Sequence, residues 1–320
     1  MHAEQTTTPD DRHVAMLRDV RYQPIFIMGD HRSGTTLLYR LLDATGCFNV
    51  VRAYHIIRYG EVLTNHLAGA EQEAKDQLGA YFTAMGVTDR MIDGVQVTPD
   101  LPEEYGFLLS GAYRAPLEPD NLPIFDQLCR KVQFTGKPER PLLLKNPWDY
   151  FLNFLYVKEA FPRARFIFIH RDPIQVINSQ LHAVRTGMHT RNAYLALMSR
   201  WYAQLYRRPL QRILAARLFE SRLGLRITCK HVVRATDYVM QHIDSLPTAD
   251  ALSLRYEDLC ADPDHVVGSI LSFLGMDGST DGKLRALIAP RSLPRAPEME
   301  RWQPGLHQRM ASFMNRYGYA

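Results

Sequence analysis

The stretch from Tyr22 to Leu42, YQPIFIMGDHRSGTTLLYRLL, constrains the fold more than any other part of the chain. Ile25, Phe26, Ile27 and Met28 form an apolar run too short for a free-standing helix and of the right length for a buried strand. A polar turn bracketed by Gly29 and Gly34 follows, and Leu37, Leu38, Leu41 and Leu42 then recur at helical spacing. Strand, glycine-rich turn and helix start, in that order, make a phosphate-binding loop, because backbone N–H groups and the helix N-terminus converge on one anion. The local alternative is a glycine turn that binds nothing.

The residues after the turn narrow the anion. A nucleotide-hydrolysing loop has Lys and then Ser or Thr after its last glycine, for the β/γ-phosphates and Mg2+. Here Gly29 and Gly34 keep the spacing, but Thr35 and Thr36 follow, and the fixed cation is Arg32 inside the loop. Hydroxyls, N–H groups and one guanidinium can hold a phosphate, yet they are poorly suited to Mg·ATP chemistry.

GDHRSGTTLLYRLL resembles the 5′-phosphosulfate loop of the sulfotransferases that use 3′-phosphoadenosine 5′-phosphosulfate (PAPS), in the RSGTT form of bacterial and tyrosylprotein enzymes. That resemblance implies an α/β fold with a P-loop-like central parallel β-sheet flanked by helices. It also implies a helical substrate cap inserted after the first strand–helix unit, and a metal-independent reaction that leaves the bisphosphate PAP. Ser33, Gly34, Thr35, Thr36 and Leu37 are then the donor-loop residues, with Arg32 and Lys145 neutralising charge near the sulfuryl group.

Bulk properties fit such a protein. A chain of 320 residues, 46% hydrophobic and 22% charged, has ample length for a core. The expectation is one domain, with residues 1–21 as a frayed tail containing at most a helical turn and about 50–140 as the cap. A formal charge of +4 suits an acidic small ligand better than a nucleic acid, which needs a dense basic stripe. The twelve histidines lack metal-site spacing, and Cys47, Cys129, Cys229 and Cys260 form neither a C-x-x-C pair nor a disulfide framework. The polar N-terminus lacks a signal-peptide core and no apolar stretch reaches membrane-spanning length, so a cytoplasmic location is expected.

Within the cap, PDLPEEYGFLL places Glu103 and Glu104 in a first helical turn, where acids favour the helix dipole. The segment also resembles a P-x-E stretch near the acceptor site of bacterial sulfotransferases, with Glu104 as the better match. His55 lies about where tyrosylprotein relatives carry an acidic base, but its preferred reading is a partly exposed histidine on a lid. Further on, Leu142, Leu143 and Leu144 form a strand ending in Lys145, at the edge where α/β sheets collect ligands. Asp149 is placed to cap the next helix.

Phe166 to Ile169 form another strand, which delivers His170, Arg171 and Asp172 to the same edge. Arg171 and Ser179, eight residues apart, resemble the family's 3′-phosphate site, and a guanidinium with a hydroxyl two helical turns on can clamp a phosphate. The competing reading pairs Arg171 with Asp172. Residues 174–184 and 192–223 read as helices; Trp201, Tyr202 and Tyr206 read as core. After a strand at Ala251–Leu254, YEDLCADP resembles a family segment that puts Tyr256 beside the adenine. Ser292, flanked by Arg291 and Leu293, resembles a nucleotide-contacting segment, while the family's RKG closure is missing and Arg295 or Arg301 stand as substitutes for its charge.

The reaction implied is sulfuryl transfer from PAPS to a hydroxyl, or second an amine, of a small-molecule or peptide acceptor. Cytosolic relatives carry a basic histidine two residues after the lysine; Pro147 stands there. The base is therefore sought in Glu104, then Glu103 and His55. A P-loop small-molecule kinase and a non-catalytic nucleotide-binding module are the alternatives. Acceptor identity and oligomeric state stay open at this stage.

Overall fold

The computed structural model describes residues 7–90, 94–109, 115–278, 282–288, 296 and 299–319. Five parallel strands form one sheet: β1 (Pro24–Met28), β2 (Asn49–Val50), β3 (Leu142–Lys145), β4 (Arg165–His170) and β5 (Ala251–Arg255), in the spatial order β2-β3-β1-β4-β5. β1 is central, pairing Ile27 with Lys145 on one side and Phe26 with Phe166 on the other. The chain turns opposite ways from β1, so the segments leaving β1, β3 and β4 open onto one carboxyl edge.

Side chains alternate across the strands and build two unlike layers. Ile25, Ile27, Leu143, Ile167 and Ile169 meet α1 (Thr35–Ala44) through Leu38, Leu41 and Leu42, and α6 (Pro263–Leu274) through Val267, Ile270 and Leu271. On the opposite face Phe26, Leu144, Phe166 and Phe168 meet Tyr105, Phe154 and α2 (Leu122–Thr135). That layer is aromatic: Phe26 stacks on Phe166 at 5.7 Å, and Tyr105 meets Phe125 edge-on at 4.8 Å. The segment expected as a cap is thus also a core layer of the sheet.

Two expectations change, and one strand is new. Asn49 and Val50 form edge strand β2 by pairing with Leu142 and Leu143. The helical run expected to 223 breaks at Ser199 and Pro209 into short helices, and α4 (Pro209–Glu220) is followed by the long helix α5 (Arg222–His242). α3 (Pro173–His189) packs against both. Lastly, residues 9–17 are no frayed tail but a docked 3-10 helix. Asp10 is fully buried, accepts from the N–H groups of Leu63 and Thr64, and pairs with Lys131 Nζ at 2.7 Å.

Removing one member of a buried pair strands the other charge, at about 3–5 kcal/mol. Asp10→Ala is therefore expected to lower stability by that order in urea unfolding, and Asp10→Ala with Lys131→Met to recover most of the loss. Equal losses in both variants would show that packing, rather than charge balance, holds this segment.

Two histidines are also buried: His55, whose Nδ1 accepts from the Arg52 N–H, and His170, stacked on Tyr317 at 3.8 Å. Burial, with Arg52 near one and Arg316 near the other, pushes each down to about 3 from 6.5. In that window the unfolded chain binds more protons, so stability is full above the unfolded value and falls with pH by about 1.4 kcal/mol per pH unit per histidine. His55→Asn keeps the acceptor for Arg52 and should make the pH dependence of the urea midpoint shallower; an unchanged slope refutes the neutral buried histidine.

Candidate active site at the carboxyl edge of the sheet

The loop after β1 is shaped by what its glycines leave bare. A Cβ on Gly29 would come within 2.6 Å of Ser33 Oγ and 2.8 Å of Ile169 Cγ2. Gly34 has φ +104°, and a Cβ there would meet the Tyr256 ring at 2.2 Å. The rest of the turn is tied down. The Ser33 N–H and hydroxyl both donate to the Asp30 carbonyl, Gln180 donates to the His31 carbonyl, and His231 Nε2 lies 3.2 Å from Asp30 Oδ1. Gly34 begins α1 without a side-chain cap. The first-turn N–H groups of Thr35, Thr36 and Leu37 lie outside the helical ladder and suit an anion.

Gly34, Thr35, Thr36, Leu37 and Arg32 line one cavity of about 670 Å3. Ser33 does not; its hydroxyl is spent on the loop's own backbone. Its contribution is to the shape of the turn.

β4 delivers Arg171 to this loop. Arg171 Nη1 donates to the Arg32 carbonyl at 3.0 Å, and its guanidinium lies 4.5 Å over the Tyr256 ring. Asp172, the competing partner, instead caps α3 by accepting from the Ile174 N–H. Ser179, two turns into α3, receives Arg32 Nε at 3.0 Å. Arg32 holds a left-handed φ of 72°, a conformation that costs about 1–3 kcal/mol outside glycine. Arg32, Arg171, Ser179 and Tyr256 therefore meet at one spot, and the side chain of Arg32 turns toward Ser179 rather than toward Lys145.

Lys145 ends β3 fully buried, with Nζ 3.0 Å from Glu104 Oε1 and 3.0 Å from Thr36 Oγ1. Glu104, which lines the cavity, is held there through its neighbours. Asp149, expected to cap a helix, instead accepts from Tyr105 Oη at 2.5 Å, Leu117 N at 2.7 Å, Asn153 Nδ2 at 2.6 Å and Asn146 Nδ2 at 2.8 Å. Burial raises the Asp149 carboxyl above its ordinary value, against the pull of these bonds. Glu103 faces elsewhere: it pairs with Arg90 Nη1 at 2.8 Å, both buried. His55 lies off the cavity in the core, and its burial keeps it neutral. Of the three candidate bases, the structure brings only Glu104 to the cavity.

The far wall was not foreseen. Trp148, Trp201, Tyr202 and Met188 line the same cavity, together with Val184 and Phe219. Trp201 and Tyr202 were read as core because helical spacing is the same for a face turned to a cavity and one turned to packing. Arg291, Ser292, Leu293 and Arg295 lie outside the described residues. Among the described residues no group of three or more His, Cys, Asp or Glu is placed to hold a metal ion, and no helix is long and apolar enough to cross a membrane.

The fold is similar to that of sulfotransferase STF9 from Mycobacterium avium, at TM-score 0.59 and 15% identity over 96% of this chain and 79% of that one. It is also similar to sulfotransferase STF1 from Mycobacterium tuberculosis H37Rv, at TM-score 0.57 and 17% identity over 94% and 80%. No curated protein sequence matches the chain. The model of the sulfotransferase family, however, matches residues 24–281, from the first residue of β1 to beyond α6, and this chain belongs to that family.

Proposed function

We propose that the chain transfers a sulfuryl group from PAPS to a hydroxyl of a small-molecule acceptor. The observation that carries this is the meeting of three cationic side chains with an open helix N-terminus at one sheet edge, beside a buried carboxylate. The residues present fit the donor: Gly34, bare of a Cβ, lets the Tyr256 ring close on the turn beside the uncapped first-turn N–H groups of α1. The N–H groups of Thr35, Thr36 and Leu37 would hold the 5′-phosphosulfate. Arg171 and Ser179, with Arg32 added by its bond to Ser179, would hold the 3′-phosphate. Tyr256 supports the adenine end, and the resemblance adds Ser292 to that group.

When bound, the donor supplies the sulfuryl group, and the bond that breaks is the one from sulfur to its 5′-phosphate oxygen. Glu104 takes the proton from the acceptor hydroxyl as that oxygen bonds to sulfur. Lys145, steadied by Thr36, directs its ammonium at the charge that develops on the leaving side. Positioning and charge stabilisation do most of the work in such transfers. Glu103 acts at a distance, fixing Arg90 and the loop that carries Glu104.

Losing Arg171 removes charge-assisted bonds of about 1.5–3 kcal/mol. Arg171→Ala should weaken PAP binding by about 10- to 100-fold in calorimetry with little change in melting temperature; unchanged affinity overturns the 3′-phosphate assignment. Glu104→Gln keeps the shape and a hydrogen bond to Lys145. It is expected to slow transfer by about 100- to 10,000-fold with PAP affinity nearly intact. The assay is labelled donor with a panel of alcohols and phenols, and full activity in this variant removes Glu104 as the base.

A further inference from the structure

Helix α4 is built inside out. Its inner side carries Ala215 and Ala216, packed with Val184, Met188 and Leu205. Its outer side carries Leu210, Ile213, Leu214 and Leu218, which are 76%, 52%, 70% and 36% exposed. These four fall at i, i+3, i+4 and i+8, the stripe that a helix normally buries. Leu223 and Ile227 on α5, one turn apart and 53% and 44% exposed, extend the patch. The two helices are held as one surface: a Cβ on Gly224 would come within 2.4 Å of Phe219 Cα.

Charge identifies the partner. Residues 200–236 contain nine Lys and Arg and one acid, Glu220, in a chain whose formal charge is +4, so the remainder of the molecule is net negative. Arg207, Arg208, Arg217, Arg222, Arg226 and Lys230 are exposed around the leucines. Apolar side chains rimmed by long cationic ones match the boundary between acyl chains and anionic headgroups. A nucleic acid would use the cations but leave the leucines in water. A second copy would bring two like-charged faces together.

We propose that α4 and the first turns of α5 dock on an anionic lipid bilayer, with the leucines in the acyl boundary and the basic side chains on lipid phosphates. Ile227 and Trp201 belong both to the exposed surface and to the cavity lining, so docking opens the cavity onto the membrane. The acceptor is then a membrane amphiphile whose hydroxyl reaches Glu104 while its apolar part lies on the aromatic wall. The acceptor half rests on the sulfotransfer reading; the docking half does not.

The test is co-sedimentation of the full chain with phosphatidylglycerol–phosphatidylcholine vesicles and with phosphatidylcholine alone, beside PAP calorimetry. Binding should need phosphatidylglycerol, weaken at high salt, and fall about tenfold or more in Leu210→Gln/Leu214→Gln, whose PAP affinity is unchanged. Absence of vesicle binding, binding that ignores the anionic lipid, or equal binding by the variant overturns docking. A concentration-dependent dimer abolished by the same substitutions, without vesicle binding, assigns the face to a second copy and overturns it too. With labelled donor and a lipid extract, label should enter the organic phase; label confined to water-soluble products overturns the acceptor half. No transfer at all, with vesicle binding intact, faults the sulfotransfer reading and leaves docking standing.

Discussion

A buried ammonium has to be balanced, and in this molecule the balance of Lys145 by Glu104 joins three parts of the chain. Lys145 belongs to a sheet strand, Glu104 to the segment over the aromatic face, and Thr36, which shares the lysine, to the anion loop. An isolated charge at that depth would cost several kcal/mol, so the Glu104 segment is fixed relative to the loop whenever the chain is folded. Asp149 strengthens the constraint by accepting from Tyr105, next to Glu104, and from the Leu117 N–H further along the chain. Glu104 and Tyr105 are therefore anchored to the sheet edge from two directions.

The proposed 3′-phosphate cluster depends on strand order in a comparable way. β4 lies directly beside β1, so the residue that follows β4 reaches the loop that follows β1. Arg171 then spans to the Arg32 carbonyl, and Arg32, forced into a left-handed turn, sends its side chain to Ser179. A loop residue thus couples the helix N-terminus to the Arg171 cluster, and no single local segment contains the site. Tyr256 completes it because the bare Gly34 lets the ring close on the turn.

What was legible in the sequence was local. Gly29, Gly34 and the two threonines encode their loop by backbone geometry, and Lys145 and Arg171 end apolar runs that can only be buried strands. What was not legible was decided by partners far along the chain. Asp10 looks like one more acid in a polar N-terminus until Lys131, 121 residues away, makes it a buried anchor. β2 is two residues long, and Asn49 and Val50 are a strand only because β3 offers an edge. Ranking Glu104 above Glu103 and His55 needed a resemblance, since adjacent glutamates look equivalent until one meets Arg90 and the other Lys145.

The same limit explains both the aromatic wall and the leucine stripe of α4. Periodicity states that a helix has an apolar face, but the partner of that face is a property of the assembled molecule. In α4 the side toward the protein needs small residues, because α3 and the helix at Arg200–Arg207 crowd it, so the alanines go inward and the leucines are left facing out. Keeping large apolar groups in water is unfavourable for an isolated monomer, by roughly 25 cal/mol per Å2. Such an arrangement makes physical sense when something other than water meets that face, and the ring of arginines around it restricts that something to an anionic surface.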